Sequence, residues 1–340
     1  MKTFRQRVKS VAHQGLRWCV RLRLWAAVAF VLGFGVYELT YRYKTDFTHL
    51  PAAIGQDLSD WVDDAVMGKS YLEKPAKELE AQAKAGNAFA MYVYALRRTN
   101  RPPEEFRIAP EDAAIARSFY EKAAKAGFVR AQAVMSLYLQ RGMGGPVDLA
   151  QAKVLAEQAA AKQDPLGLRV WADILLDEAK KTPGGNPAVE LKGCRLMIKA
   201  ADRGNRGALR KLGDLTAEGR IGYTDEKGNP ILVQNFTQAL AYYEEAALLR
   251  DYEASRSLAM AYEDNKIAAV DLVKAYAWNL VAAQLATKPE DVAKLKTKLL
   301  ELSDRMSPAD LTAAQNLARD YLARMPTEKE DAERSLLKAR

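Results

Sequence analysis

The stretch FYEKAAKAG at 119–127 returns, slightly altered, as LMIKAADRG at 196–204 and YYEEAALLR at 242–250. Aligned on the last residue of each, the mark falls at Gly86, Gly127, Gln163, Gly204, Arg250 and Ala286, with spacings of 41, 36, 41, 46 and 36 residues. Self-similarity at such a period constrains the chain more than any other feature. Each unit is too small to bury its own apolar face and must stack on its neighbour. Small residues keep register with the last five marks: three before come Ala124, Ala160, Ala201, Ala247 and Ala283, and four before come Ala123, Ala159, Ala200, Ala246 and Ala282. Eleven before stand Ala116, Ala152, Gly193, Ala239 and Ala275. Eight before, the residue is large: Phe119, Leu155, Leu196, Tyr242 and Trp278.

A second register runs forward from the first five marks. Four positions on are Ala90, Ala131, Gly167, Ala208 and Ala254; nine on are Ala95, Ser136, Ala172, Gly213 and Ala259. Between them, eight on, stand Tyr94, Met135, Trp171, Leu212 and Leu258. Such offsets share one helix face, so each unit reads as an antiparallel pair of helices, A then B, zipped along small side chains.

These residues resemble the Sel-one-like repeat family, relatives of the tetratricopeptide repeats. ALRKLGDLTAEG (208–219) matches that family's helix A, and KAYAWNLVAA (274–283) its helix B. RGMGGPVDLAQAK (141–153) matches the connecting loop, with one extra residue before Val147. In loops 97–110, 177–190 and 217–235 the likeness is confined to the flanking helices. The resemblance spans 87–286 and implies an all-α, right-handed α-solenoid that binds other proteins, with no catalytic residues to carry over.

The rest of the chain divides around these repeats. Five units are expected at 87–127, 128–163, 164–204, 205–250 and 251–286. Before them, 42–86 is read as a linker, an amphipathic helix at 51–67 and a degenerate capping half-repeat. After them, 287–325 is read as capping helices and 326–340 as a charged tail. In SPADLTAAQNLARDYLAR, Ser307 as N-cap, Pro308 at the first helical position and Asp310 three residues past the cap mark a helix start. A solenoid needs such a polar end to cover its last apolar face.

The net charge of +8 is not a nucleic-acid footprint, because residues 1–23 carry seven Lys and Arg and no acid. That basic stretch leads into LWAAVAFVLGFGVY, uncharged from 24 to 37. The expectation is a transmembrane signal anchor at 24–41, with 1–23 cytoplasmic and the repeat domain in the periplasm, a single-pass inner-membrane protein. A cleaved signal peptide lacks a small-x-small site after the apolar run, and a buried soluble helix would not need unopposed cations beside it. The lipid bilayer is thus an expected partner through 24–41.

Catalytic chemistry has little to stand on. The two histidines, His13 and His49, precede the repeats, which removes His-based triads and metal sites from that region. No cofactor or metal is expected, and no enzyme activity. The sequence points to an unidentified protein partner on a concave helix-A surface, in an envelope or polysaccharide assembly. Candidate contacts are helix-A side chains off the zipper: Tyr92, Arg169, Arg210 and Arg256. The last three share the position six past the mark and would form a basic stripe. Two alternatives remain at this point, a carbohydrate-active hydrolase using two carboxylates and a cytoplasm-facing adaptor. A turn at 227–230 further suggests a small hairpin within 219–235, as a contact loop or a tolerated insertion.

Overall fold

In the computed structural model the described residues are 74–99, 109–182, 186–219, 234–327 and 330–331. All lie in the second of two compact units, Met1–Asp63 and Asp64–Arg340. Thirteen α-helices and no strand occur among the described residues: α1 (Ala76–Lys84), α2 (Ala88–Thr99), α3 (Pro110–Lys125), α4 (Val129–Arg141) and α5 (Leu149–Ala161) come first. They are followed by α6 (Pro165–Lys181), α7 (Pro187–Asp202), α8 (Arg206–Glu218), α9 (Phe236–Leu248) and α10 (Tyr252–Glu263). The last three are α11 (Leu272–Leu285), α12 (Pro289–Ser303) and α13 (Pro308–Arg324). From α1 to α12 each helix packs on the next, as hairpins joined by short turns do, α4 also touches α6 directly, and α13 packs on α11. This is an α-solenoid.

The recurring mark is a turn device. Gly86, Gly127 and Gly204 have φ of 101°, 87° and 68°, the left-handed conformation that ends a helix. The amide of the residue after each mark then reaches back to the preceding helix: Phe128 N donates to Ala123 O at 3.0 Å, and Asn205 N to Ala200 O at 3.1 Å. Gln163 and Arg250 take the same conformation, φ 59° and 66°, without being glycine. Ala286 does not; its φ of −66° and ψ of 128° are extended, and the regular turn stops there.

The following helix starts on a side-chain cap one residue past the mark. Asn87, Asp164, Asn205 and Asp251 accept hydrogen bonds from the amides of Ala90, Gly167, Ala208 and Ala254, at 2.8, 2.8, 3.0 and 2.8 Å. Each cap satisfies a helix-end amide that would otherwise be orphaned. Phe128 holds this position before α4 and offers no side-chain cap. Ser307 caps α13 as expected, accepting from Asp310 N at 3.2 Å.

The small-residue zipper is fully buried: Ala123, Ala159, Ala200, Ala246 and Ala282 are all 0% exposed. Closest approach occurs at Gly167, where an added Cβ would sit 2.5 Å from Ala159 Cβ and 2.7 Å from that residue's carbonyl carbon. The large residue eight before the mark behaves less uniformly. Phe119 and Trp278 are buried, whereas Leu155, Leu196 and Tyr242 are only half-buried. One position later, Tyr120, Ala156, Met197 and Tyr243 are buried instead. At the C-terminal end, α13 folds back on α11, stacking Tyr321 on Trp278 with ring centroids 4.1 Å apart.

The expected location is corrected by the helices themselves. No helix among the described residues is long and apolar enough to cross a membrane. The longest, α6 and α13, have 17 residues and carry charged side chains; at 1.5 Å per residue that is about 26 Å, short of a hydrocarbon core. Stacked hairpins carry no address of their own, so the inner-membrane, periplasmic placement does not stand. The apolar stretch 24–41 lies outside the described residues, as do the helix expected at 51–67 and all but the ends of the hairpin expected at 219–235.

Candidate functional site

The repeat register puts one residue of each A helix, six past the mark, at an equivalent place on α2, α4, α6, α8 and α10. Those residues are Tyr92, Ala133, Arg169, Arg210 and Arg256. Tyr92 is corrected to a core residue. It is 1% exposed, with its ring 5.7 Å from Tyr120 and 5.2 Å from Phe128. Ala133 is equally buried. The three arginines emerge progressively, with side chains 12%, 34% and 43% exposed along the array. Access to the row therefore grows toward α10.

None of the three is a bare cation. Arg169 Nη1 donates to Asp173 Oδ2 at 2.7 Å, one helical turn on. Arg210 lies 3.8 Å from Asp214, the same relation, and its Nε lies 3.4 Å from Asp251, the cap of the next A helix. Arg256 Nη1 donates to Glu253 at 3.1 Å and its guanidinium lies over the Tyr252 ring, 5.8 Å from the centroid. Tyr243 of α9 donates its hydroxyl to Asp214 at 2.9 Å, tying the ladder to the B helices. The result is a ladder of arginines paired with acids, Asp173, Asp214, Asp251 and Glu253, rather than a uniformly basic stripe.

Burial inside this ladder shifts its acids. Desolvation raises the carboxyl of Asp173, against the opposing pull of Arg169 and Lys211. Asp251 is raised for the same reason, with Arg210, the amide of Ala254 and Arg206 pulling the other way. Burial, helped by the nearby Arg169, lowers the Arg141 guanidinium at the end of α4.

Beyond Arg256 the face opens into a groove of about 480 Å³ between α10, α11 and α12. Its walls include Tyr252, Ala259, Met260, Leu295 and Lys298, and Met260 is 57% exposed. The acids there are held by cations: Glu263 accepts from Lys298 Nζ at 2.6 Å and from Arg305 Nη1 at 3.4 Å, and Asp291 lies 3.6 Å from Lys288. The groove thus pairs an apolar floor with a neutralised rim, which suits a protein segment better than proton transfer.

The sequence reading missed the acidic half of the ladder. Its signal was present, since Asp173 and Asp214 each stand four residues after an arginine of the row. Asp251 was unreadable as a partner of Arg210, because the pair joins two A helices 41 residues apart.

Stacked hairpins with an exposed helix face define an α-solenoid of the kind that presents a row of helices to other molecules. The Sel1 repeat matches four stretches of the chain, residues 107–128, 129–164, 185–205 and 215–251. Sel1-repeat proteins are protein–protein interaction scaffolds, a fold that is generally non-enzymatic.

Among solved structures, a Sel1 repeat protein from Oxalobacter formigenes is 24% identical over 70% of this chain and 65% of its own, with a TM-score of 0.46. A protective antigen of uropathogenic Escherichia coli with an SLR fold is 16% identical over 81% of this chain and 63% of its own, TM-score 0.39. A sel1 repeat protein from Klebsiella pneumoniae is 20% identical over 68% of this chain and 100% of its own, TM-score 0.41. The chain thus spans less than two thirds of the length of the first two. No curated protein matches it.

Proposed function

We propose that the chain is a scaffold that holds a protein partner on the C-terminal stretch of its A-helix face, from α8 across α10 to α12. The observation that supports this placement is the exposure gradient along one repeat position, from a buried Tyr92 to an Arg256 whose side chain is 43% exposed beside an open groove. The partner's backbone crosses the A helices. An apolar side chain enters beside Met260, while its polar groups exchange with the ladder at Arg210 and Arg256. Such paired charges contribute little affinity each, typically below about 1 kcal/mol when exposed; they set register and orientation. No cellular location forms part of this reading, and the envelope-assembly role expected from the sequence falls with the location that suggested it.

The test is a photo-crosslinking amino acid placed at position 256 and, separately, at Val154, an exposed α5 residue on the B side of the array. The expected result is one discrete adduct from 256 that disappears when Arg210→Glu is added, and none from 154. Equal adducts from both positions would sink the proposal.

A further inference from the structure

The described residues after α13 do not trail away. Met325 is 8% exposed and Pro326 is buried. Arg250, in the left-handed turn between α9 and α10, donates from Nη1 to Pro326 O at 3.3 Å. Thr327 and Glu330 then form a reciprocal cap: Thr327 N donates to Glu330 Oε2 at 2.7 Å and Glu330 N to Thr327 Oγ1 at 3.2 Å. This turn presents Asp331, whose Oδ2 accepts from Arg206 Nη1 at 2.9 Å across 125 residues of sequence. The same Nη1 donates to Leu249 O at 3.2 Å.

Arg206 stands one helical turn before Arg210 on α8, so both lie on one helix face. Both guanidinia act on Asp251. Asp331 therefore sits at the head of the docking row, on a cation one helical turn before Arg210. Its hold is modest: the Arg206 and Asp331 side chains are 20% and 25% exposed, and an ion pair so placed changes an equilibrium by no more than about fivefold. What keeps it seated is tethering, since α13 fixes the segment close to its site and gives it a high effective concentration.

We propose that Thr327, Glu330 and Asp331 form a resident occupant of the α8 end of the docking face, and that an acidic, helix-starting segment of the protein partner displaces the Asp331 carboxylate by bringing its own to Arg206. This rests on the docking reading above and adds the partner's chemistry and a built-in competitor. A site blocked by its own chain binds an outside ligand more weakly in proportion to the fraction of time it is open.

The test uses the full chain and a fluorescently labelled, end-blocked peptide of the sequence MPTEKED, residues 325–331, followed by fluorescence anisotropy. Asp331→Asn is expected to bind this peptide about three- to fivefold more tightly than wild type. Adding Arg206→Gln to Asp331→Asn is expected to remove the gain. Equal affinities for wild type and Asp331→Asn, no binding by Asp331→Asn, or a gain that survives Arg206→Gln would each overturn the proposal. A lowered unfolding midpoint in Asp331→Asn with unchanged affinity would show a mere brace, and overturns it too. Crosslinking from position 256 reads the docking face separately, so an adduct there with no change here defeats displacement alone.

Discussion

The first hairpins and the later ones use one backbone plan for opposite ends. Around α2 to α4 the A-helix position six past the mark is core. Tyr92, Tyr120, Phe128 and Tyr138 form a chain of ring contacts, the last 5.2 Å between Tyr120 and Tyr138. Around α6 to α10 that position carries Arg169, Arg210 and Arg256, each paired to an acid. The zipper of small residues is the same in both regions, so the backbone stacking does not decide the difference. What decides it is the neighbour supplied by the next unit. Phe128 occupies the place where Asp164, Asn205 and Asp251 cap the other A helices. It packs on Tyr92 and seals that end of the face.

The largest effect expected from this contrast is on stability. Tyr92→Ala should cost about 3–5 kcal/mol, the cost of emptying a large aromatic site in a packed core. Arg256→Ala should cost less than about 1 kcal/mol, as exposed ion pairs do. Denaturant unfolding of the two variants measures both, and similar losses would erase the distinction between the regions.

A smaller effect concerns pH. Burial raises the Asp251 carboxyl above its ordinary 3.8, so the folded state binds more proton than the unfolded one. Stability from this group therefore rises as pH falls through the window that opens upward from that value, and is lost as pH rises. Asp251→Asn removes the titration while keeping a side-chain oxygen for the Ala254 amide. The unfolding midpoint of the wild type should climb relative to that of the variant on acidification from about pH 7 toward pH 4. Parallel curves would show that Asp251 is not desolvated in the ladder.

The smallest effect is at the turns. Gln163 adopts a left-handed conformation that glycine takes without strain. Gln163→Gly should stabilise the chain by up to about 1 kcal/mol, offset in part by the greater freedom of glycine when unfolded. A clear loss in thermal melting would mean that the hydrogen bond from Arg203 Nη2 to Gln163 Oε1, 3.2 Å long, outweighs the strain.

How much of this the sequence disclosed follows from the range of each interaction. The zipper was readable because Ala123, Ala159, Ala200 and their equivalents repeat in register, and local helix periodicity fixes which face they share. The exact burial phase was not, since whether Tyr242 or Tyr243 enters the core depends on the angle of the neighbouring helix. Tyr92 was misplaced for a related reason: at one repeat position an aromatic reads as a contact residue until Phe128 and Tyr120 are seen against it. The arginine row was legible as a row, but its acids across helices were not. Nor was the reach of Arg206 to Asp331, which joins distant parts of the chain that no periodicity relates.

The most direct measurement is hydrogen exchange on the full chain with and without the partner captured from position 256. The account predicts slowed exchange in α8, α10 and α12 and no change in α2 and α4. Protection centred on α2 and α4 would contradict it.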